Sequence, residues 1–267
     1  MPKLTFLGTG GGRFVTASQP ISTGGLVLEM DGVTFHIDPG PGALVRAKQF
    51  GVDLRKVDVI LLSHAHIDHS NDCNAVIDCM TKGGIDHKGI IIGPEAALKG
   101  TDENSPVVLK FYLKALEKVI CLRPDEEARV NTIKIKATPT QHSDKNAIGF
   151  VIKGSKQISY VSDGAYFKEL SGFHKGSEIL ILNVLRPYGD EWKMHLNTRD
   201  AVNIIKEVKP KIAIFQHFGF KMINANPFNE AKRAEKESGC RVVAAEDGMV
   251  IDLDKYNVNA LDKFVKK

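Results

Sequence analysis

The sequence predicts an α/β fold in which β-sheets are covered by helices. Short apolar runs that end at Gly, Pro, Asp or His occur along most of the chain, as is typical of strands. Between them lie segments in which apolar residues return every three or four positions, as they do on one face of a helix. Roughly a dozen strands and about five or six helices are expected, which favours sheets covered by helices over a pure β-sandwich.

The N-terminal third is mostly predicted sheet. Strands are expected at residues 4–7, 26–30, 33–37 and 57–62. The spacing of apolar residues predicts helices between positions 71 and 81 and between 106 and 118. Strands and helices therefore mix early in the chain.

The second half repeats this pattern. Strands are expected at residues 132–137, 148–152, 158–161, 179–182 and 212–215. An amphipathic helix is also predicted, with Asn197 or Thr198 as its N-cap and Pro210 beyond its end. Its apolar face consists of Ala201, Ile204, Ile205 and Val208.

The composition is that of a globular protein. The 267 residues are 43% hydrophobic and 25% charged and contain no run of 18 apolar residues, which excludes disordered, fibrous and membrane-spanning classes. The net charge of +4 is too small and too dispersed to indicate a protein that coats nucleic acid. Because no linker, repeat or low-complexity tract marks a boundary, we expect one domain over residues 1–267.

The start of the chain and its cysteines predict a cytoplasmic location. A strand is expected almost at once, at residues 3–7, which leaves no room for a cleavable signal. The four cysteines form neither a Cys-x-x-Cys pair nor a dense disulfide framework, so we expect reduced thiols. They are Cys73, Cys79, Cys121 and Cys240.

The most informative stretch follows the apolar run at residues 59–62. It contains four potential metal ligands: His64, His66, Asp68 and His69. Because side chains alternate along an extended strand, His64 and His66 should project to the same side, with the other two ligands facing a second ion. A solvated turn is the alternative, but burying these groups without partners would cost roughly 1–3 kcal/mol each. The stretch therefore predicts two adjacent metal ions.

This stretch resembles the His-x-His-x-Asp-His signature of the metallo-β-lactamase superfamily, and the similarity continues along the chain. The other family motifs resemble the sequence around Asp38, His142, Asp163 and His217. The resemblance implies a four-layer αβ/βα sandwich, in which two mixed sheets pack face to face with helices outside. The last three of these residues each follow an apolar run, so separate strands would deliver them to one rim.

By this resemblance, side chains from across the chain would hold a pair of metal ions. The first ion would be bound by His64, His66 and His142, the second by Asp68, His69 and His217, and Asp163 would bridge both. Zinc suits these imidazole and carboxylate ligands, and manganese or iron also fits the ligand types. Asp38 would support the site without binding metal.

The resemblance implies hydrolysis. Two ions about 3.5–4 Å apart activate a shared water as hydroxide and balance the charge that builds on a carbonyl or phosphoryl group. Asp68 would orient this nucleophile or accept its proton. Redox chemistry is the rival use of the fold, but the flavodiiron members carry a glutamate at the position of His66.

Residues 4–12, with their glycine cluster, are similar to the start of ribonuclease Z and the cyclic phosphodiesterases. The resemblance to this branch implies that His195 is a leaving-group acid or a phosphate contact, whereas a helix cap or a solvated side chain is the alternative. Only 20 residues separate His142 from Asp163, too few for the tRNA-gripping arm of ribonuclease Z, and Tyr160 replaces an acidic partner. A phosphodiesterase of small molecules or nucleotides is therefore favoured over a tRNA 3′ endonuclease.

Other interpretations stay open. Tyr166, three residues after Asp163, resembles a tyrosine of lactone-hydrolysing members that would polarise a carbonyl, and packing against the next helix is its alternative. A lactonase, or another ester, thioester or β-lactam hydrolase, is thus the second prediction. A noncatalytic scaffold without metal is disfavoured because every expected ligand is present. The remaining histidines, His36, His87 and His174, are expected to be structural or surface residues.

The expected partner is a small anionic substrate. No membrane partner is expected, and nucleic acid is a less favoured one. The sequence leaves the oligomeric state open.

Overall fold

A computed structural model describes residues 2–102 and 105–259. These residues divide into two compact units. The first unit holds the described residues within Met1–Thr9, Gln19–Cys121 and Glu246–Lys267, and the second holds Gly10–Ser18 and Leu122–Ala245. The single domain expected from the sequence stays a prediction.

The strands of the described chain are mostly three to eight residues long. They are β1 (Lys3–Phe6), β2 (Leu26–Met30), β3 (Val33–Ile37), β4 (Val59–Leu61), β5 (Ile90–Gly93), β6 (Lys118–Cys121), β7 (Glu127–Val130), β8 (Ile133–Pro139), β9 (Ile148–Lys153), β10 (Gln157–Val161), β11 (Ile179–Arg186), β12 (Leu196–Asn197), β13 (Ile212–Gln216), β14 (Val242–Ala244), β15 (Val250–Asp252) and β16 (Asn257–Asn259).

The helices are short apart from two near the end of the chain. They are α1 (Arg13–Ser18), α2 (Ala43–Gln49), α3 (Ile67–Ser70), α4 (Cys73–Met80), α5 (Glu95–Lys99), α6 (Lys110–Ala115), α7 (Leu170–Phe173), α8 (Thr198–Val208), α9 (Phe220–Ala225) and α10 (Pro227–Ser238), with a 3₁₀ turn at Leu54–Lys56. In the part of the chain described, none of them is both long and apolar enough to cross a bilayer.

The sheet of the first unit is mixed. Its order is β16-β15-β1-β2-β3-β4-β5-β6. Strand β2 is antiparallel to both of its neighbours, β1 and β3, and β3 through β6 are parallel. Because β3 and β4 run in the same direction, the residues that follow them emerge at the same edge of the sheet.

The core of the first unit lies between this sheet and its helices. In α4, Cys73, Val76, Ile77 and Met80 are all buried, which is the i, i+3, i+4, i+7 pattern of a helix with one apolar face. They belong to the same cluster as Ile60 of β4. The helix predicted between positions 71 and 81 is therefore confirmed.

The sheet of the second unit is also mixed. Its order is β14-β13-β11-β10-β9-β8-β7, with β12 paired to β11. Strands β7 to β10 form an antiparallel meander, and β10, β11, β13 and β14 are parallel. Strand β8 therefore runs in the same direction as β10, and the carboxyl ends of β8, β10 and β13 share one edge.

Helix α8 packs in the second unit with the predicted face inward. The side chain of Asn197 accepts hydrogen bonds from the backbone N–H groups of Arg199 and Asp200, and Asp200 accepts one from the Asn197 N–H. This reciprocal capping box satisfies N–H groups that the helix itself cannot bond. The prediction of an N-cap at Asn197 or Thr198 is thus settled in favour of Asn197.

The expected count of about a dozen strands was too low, since sixteen are found in the described residues. Short strands such as β14 and β15 contain three residues each, and β6 and β7 carry exposed lysine, glutamate or arginine, so their apolar patterns are weak. Ten α-helices are found in residues 2–102 and 105–259, where five or six were expected for the chain. Helix α10 gives little signal because alanines form most of its buried face.

Candidate metal centre

The motif after β4 brings its imidazoles together. The His64 side chain is fully buried, and its Nε2 lies 3.0 Å from Nδ1 of His66. The rings of His64 and His69 have centroids 4.2 Å apart. His66 has the extended backbone that the sequence predicted, and Asp68 and His69 lie in the single turn of α3. Three imidazoles packed this closely form a donor set that suits a transition-metal cation.

Asp38 fixes this motif from the adjacent parallel strand. Its carboxylate accepts hydrogen bonds from the Ser63 N–H at 2.7 Å, the Ser63 hydroxyl at 2.6 Å and His69 Nδ1 at 2.8 Å. Nε2 of His69 faces Asp68 Oδ2 at 3.7 Å. With Nδ1 bonded to Asp38, the other nitrogen of His69 is the one presented as a ligand.

The second unit gathers its own set of ligand-type residues at the shared edge of β8, β10 and β13. One ligand atom from each of His142, Asp163 and His195 lies within 4.8 Å of the others. Oδ2 of Asp163 is 3.3 Å from His217 Nε2 and 3.5 Å from His195 Nδ1. Asp163 is thus the centre of this cluster.

His142 is held by the turn that precedes His195. Its Nδ1 lies 3.0 Å from the backbone oxygen of Met194, to which it donates. Met194 adopts φ of +65°, a left-handed conformation that is uncommon outside glycine. Because this bond occupies Nδ1, Nε2 is the nitrogen of His142 that could bind a metal. The bond from His69 Nδ1 to Asp38 has the same effect on His69.

Asn183 bonds Asp163, Gln216 in turn bonds Asn183, and neither residue was among those predicted from the sequence. Asn183 donates from Nδ2 to Asp163 Oδ1 at 2.8 Å and accepts a bond from Gln216 Nε2 at 2.8 Å. They face each other in the register between β11 and β13. The only signal in the sequence is a polar residue that interrupts or ends an apolar strand.

A glycine makes room for His217. A Cβ atom on Gly11 would lie 2.1–2.2 Å from ring atoms of His217, so no other residue fits there without displacement. The Gly11 N–H also donates to the Phe218 carbonyl at 3.2 Å. His217 itself has a left-handed backbone, with φ of +63°. The glycine cluster at the start of the chain is thus explained in part by close packing.

His195 belongs to the cluster of the second unit. Its ring centroid is 5.0 Å from that of His142 and 6.0 Å from that of His217. The structure therefore places it among ligand-type groups, and Asn197, two residues later, caps α8. Its part in catalysis stays a prediction.

Tyr166 has a different electrostatic environment. Partial burial raises the pKa of its hydroxyl, and the charges of Glu207, Asp200 and Glu169 act in the same direction. Two of these carboxylates belong to α8 rather than to the ligand cluster. A role for Tyr166 in catalysis stays a prediction.

The histidines set aside from the sequence are structural or exposed. Burial lowers the pKa of both His36 and His174 to about 4, so both rings are neutral at pH 7. His36 Nε2 donates to the Gly24 carbonyl at 3.0 Å, and His174 Nδ1 lies 3.0 Å from the Ser159 hydroxyl. His87 is exposed. The predictions for these three residues are confirmed.

Comparison with known proteins agrees with these features. A family model described as the beta-lactamase superfamily domain matches residues 34–218. An uncharacterized protein of Methanocaldococcus jannaschii is 34% identical over 256 residues, which cover 94% of this chain and 95% of that protein. Ribonuclease Z of Borreliella afzelii is 24% identical over an alignment of 316 residues, covering 95% of this chain and 98% of the relative.

Solved structures share the fold. The metallo-β-lactamase fold protein YhfI of Bacillus subtilis gives a TM-score of 0.78 at 23% identity, with 94% of this chain and 99% of that chain covered. A diphosphatase of the PhnP family gives a TM-score of 0.69 at 18% identity, with coverage of 95% and 98%. The two mixed sheets with helices that the sequence predicted are therefore those of a known fold.

Proposed function

This chain belongs to the metallo-β-lactamase superfamily, and from that premise we propose that it is a metal-dependent hydrolase that cleaves phosphodiesters. One observation carries the proposal: His69 and His142 each have Nδ1 bonded to the protein, at Asp38 and at the Met194 carbonyl. Ligating histidines are oriented in this way, so that a defined Nε2 is presented to a metal. Structural histidines such as His36 lack neighbouring ligands of this kind.

The proposed site holds two divalent ions. We assign His64, His66 and His142 to one ion, Asp68, His69 and His217 to the other, and Asp163 to both. Five imidazoles and two carboxylates favour zinc, and manganese or iron would also suit these donors. When bound, such ions supply an activated water and positive charge for the group under attack.

The protein side chains would supply orientation and proton transfer. Asp68, whose Oδ2 lies 3.7 Å from His69 Nε2, would orient the attacking water or accept its proton. His195 would donate a proton to the departing oxygen, since its imidazole lies beside Asp163 without being one of the assigned ligands. Asn183 would keep the Asp163 carboxylate from rotating.

Phosphodiesters are favoured over carboxylic esters by two considerations. The relatives named ribonuclease Z and diphosphatase act on phosphate compounds, and an imidazole such as His195 suits the departure of an alkoxide from phosphorus. Lactone hydrolysis, with Tyr166 as the group that polarises the carbonyl, is the alternative prediction. We expect the substrate to be a small anionic molecule.

The test combines metal analysis with a substrate panel. Purified protein is analysed for its metal content and then assayed, at fixed zinc or manganese, with aryl phosphodiesters, cyclic nucleotides, lactones, thioesters and β-lactams. We expect about two ions per chain and the highest kcat/KM with a phosphodiester. A kcat/KM for lactones equal to or above that for phosphodiesters would overturn the substrate assignment, and protein that binds no metal would overturn the hydrolase.

A further inference from the structure

The single tryptophan of the chain is exposed. Trp192 leaves 55% of its surface open to solvent, whereas most large apolar side chains of the second unit are buried. Single exposed apolar side chains are common on protein surfaces, so the exposure of Trp192 gains meaning only from its neighbours. The neighbouring residues on the same turn indicate that the exposed ring has a role in ligand binding.

Trp192 is held beside His195. The His195 N–H donates to the Trp192 carbonyl at 3.3 Å, and the two residues form an antiparallel bridge. Residues directly opposite each other in such a pair direct their side chains to the same face, with Cβ atoms about 4.5–5.5 Å apart. Since Nδ1 of His195 lies 3.5 Å from Oδ2 of Asp163, this bridge anchors the backbone of Trp192 next to a residue of the ligand cluster of the second unit.

One face of the indole is covered by a cation. The guanidinium carbon of Arg186 lies 4.5 Å from the Trp192 ring centroid, and the Arg186 side chain is only 15% exposed. Asp190 holds this arginine at 3.7 Å and also pairs with Lys221 at 2.8 Å. A cation stacked on one face restrains the ring, so its open surface belongs to the opposite face and the edges.

We propose that Trp192 is a stacking platform for a planar aromatic group of the substrate. The inference rests on the proposed function and extends it to specificity: the favoured phosphodiesters would carry an aromatic ring, such as a nucleobase, next to the scissile phosphate. A restrained aromatic surface with one open face is what base stacking requires, and it tolerates different bases because each has a π-face. Arg186 beneath the ring adds attraction for an electron-rich partner.

A direct readout exists because Trp192 is the sole tryptophan. The protein is titrated with AMP, ribose 5-phosphate and inorganic phosphate while its intrinsic fluorescence is recorded. We expect saturable quenching by AMP and less than a tenth of that change with the other two compounds. Binding of AMP measured by calorimetry without any change in tryptophan fluorescence would overturn the platform.

Variants separate stacking from a structural role. Thymidine 5′-(p-nitrophenyl) phosphate and methyl p-nitrophenyl phosphate share the p-nitrophenyl leaving group and differ in the group that stays on phosphorus, which is a nucleoside with its base in the first and methyl in the second. In Trp192→Ala we expect KM to rise about tenfold or more for the thymidine ester, with kcat little changed and KM for the methyl ester within twofold, and Trp192→Phe should restore most of the difference. Equal effects on both esters would overturn the proposal.

The control variant is Phe228→Ala, which removes another exposed aromatic side chain of the same unit, 45% open to solvent. It should change neither KM nor kcat for either ester. If no phosphodiester is hydrolysed but AMP still quenches Trp192, the proposed function fails and the platform stands. If both esters are cleaved and AMP gives no quenching, the platform fails and the proposed function stands.

Discussion

Asp38 and His69 are joined by a 2.8 Å bond between Oδ2 and Nδ1, and both side chains are almost completely buried. The carboxylate is also bonded twice to Ser63, so it cannot turn away from the imidazole. The orientation of His69 is therefore set by a residue 31 positions earlier in the chain. This relationship gives the first prediction.

Asp38→Asn should weaken metal binding roughly 10- to 100-fold while the fold is kept. Asparagine tolerates the left-handed backbone of position 38, where φ is +50°, but its amide cannot accept the His69 proton as a carboxylate does. Competition for zinc with a chromophoric chelator measures the change. Asp86→Asn, which removes only an exposed ion pair with Lys82, is the matched control. Unchanged zinc affinity in Asp38→Asn would contradict the role given to Asp38.

Asn183→Ala should lower the metal content of the purified protein because it frees the Asp163 carboxylate. It also leaves Gln216 without its 2.8 Å partner, so the free energy of unfolding should fall by about 1–3 kcal/mol. Elemental analysis and urea denaturation measure the two effects. Ser159→Ala, on the neighbouring β10, removes a buried hydroxyl that bonds Ser177 and His174. It should lose comparable stability and keep its metal, and equal metal loss in both variants would refute the assignment.

Gly11→Ala should impair metal binding through His217, although position 11 has no side chain of its own to contribute. The added methyl group would overlap the imidazole ring, which must then move. We expect at least a tenfold loss of zinc affinity, measured as for Asp38→Asn. Gly172→Ala adds a methyl group where nothing lies within 4 Å and should behave as wild type. Normal zinc affinity in Gly11→Ala would show that the ring can shift without consequence.

His195→Ala should reduce kcat most for substrates with poor leaving groups. A general acid contributes roughly 10²–10⁴-fold, and this contribution is largest when the departing alkoxide is strongly basic. The comparison is between p-nitrophenyl and alkyl esters of the same phosphate, at fixed metal concentration. A loss that is the same for both esters would remove His195 as the proton donor.

The stability of the protein should fall as pH decreases from about 6.5 to 4. Burial lowers the pKa of His174 to about 4 from the ordinary value of 6.5, so in this window the unfolded chain takes up a proton that the folded chain does not. This difference in protonation costs no stability above pH 6.5, and the loss amounts to about 3 kcal/mol once pH is below 4. His36 acts in the same direction.

Urea denaturation of His174→Leu between pH 7.5 and 4.5 checks this sign. The variant should lose less stability over this range than the wild type does. His87→Leu, at an exposed histidine, should leave the pH dependence unchanged. A wild-type stability that rises on acidification would contradict the shift assigned to both buried rings.

Local patterns predicted much of this architecture. The run Val59–Leu61 before His64 is apolar enough to predict a buried strand, and the four ligand types after it are too dense for an ordinary turn. Helix α8 was predictable because its cap, apolar face and terminating proline agree with one another. Both sets of ligand-type residues come shortly after predicted strands, and the end of a strand can be recognised in a sequence.

The supporting contacts could not be predicted in the same way. Asn183 and Gln216 meet because β11 and β13 pair in one particular register, and that register depends on packing across the sheet. The contact of Gly11 with His217 joins positions more than two hundred residues apart. No local pattern encodes such a distance, so these residues emerge only from the folded chain.

The left-handed backbone at His217 and at Asp38 limits which residues each of these two positions accepts. At φ of +63° and +50°, a β-branched side chain would collide with its own main chain, whereas glycine, asparagine and aspartate would be accommodated. His66, at φ of −61° and ψ of 145°, imposes no such restriction. For the metal site proposed above, substitutions that change the ion preference are therefore best sought at His66, whose extended backbone accepts glutamate or cysteine.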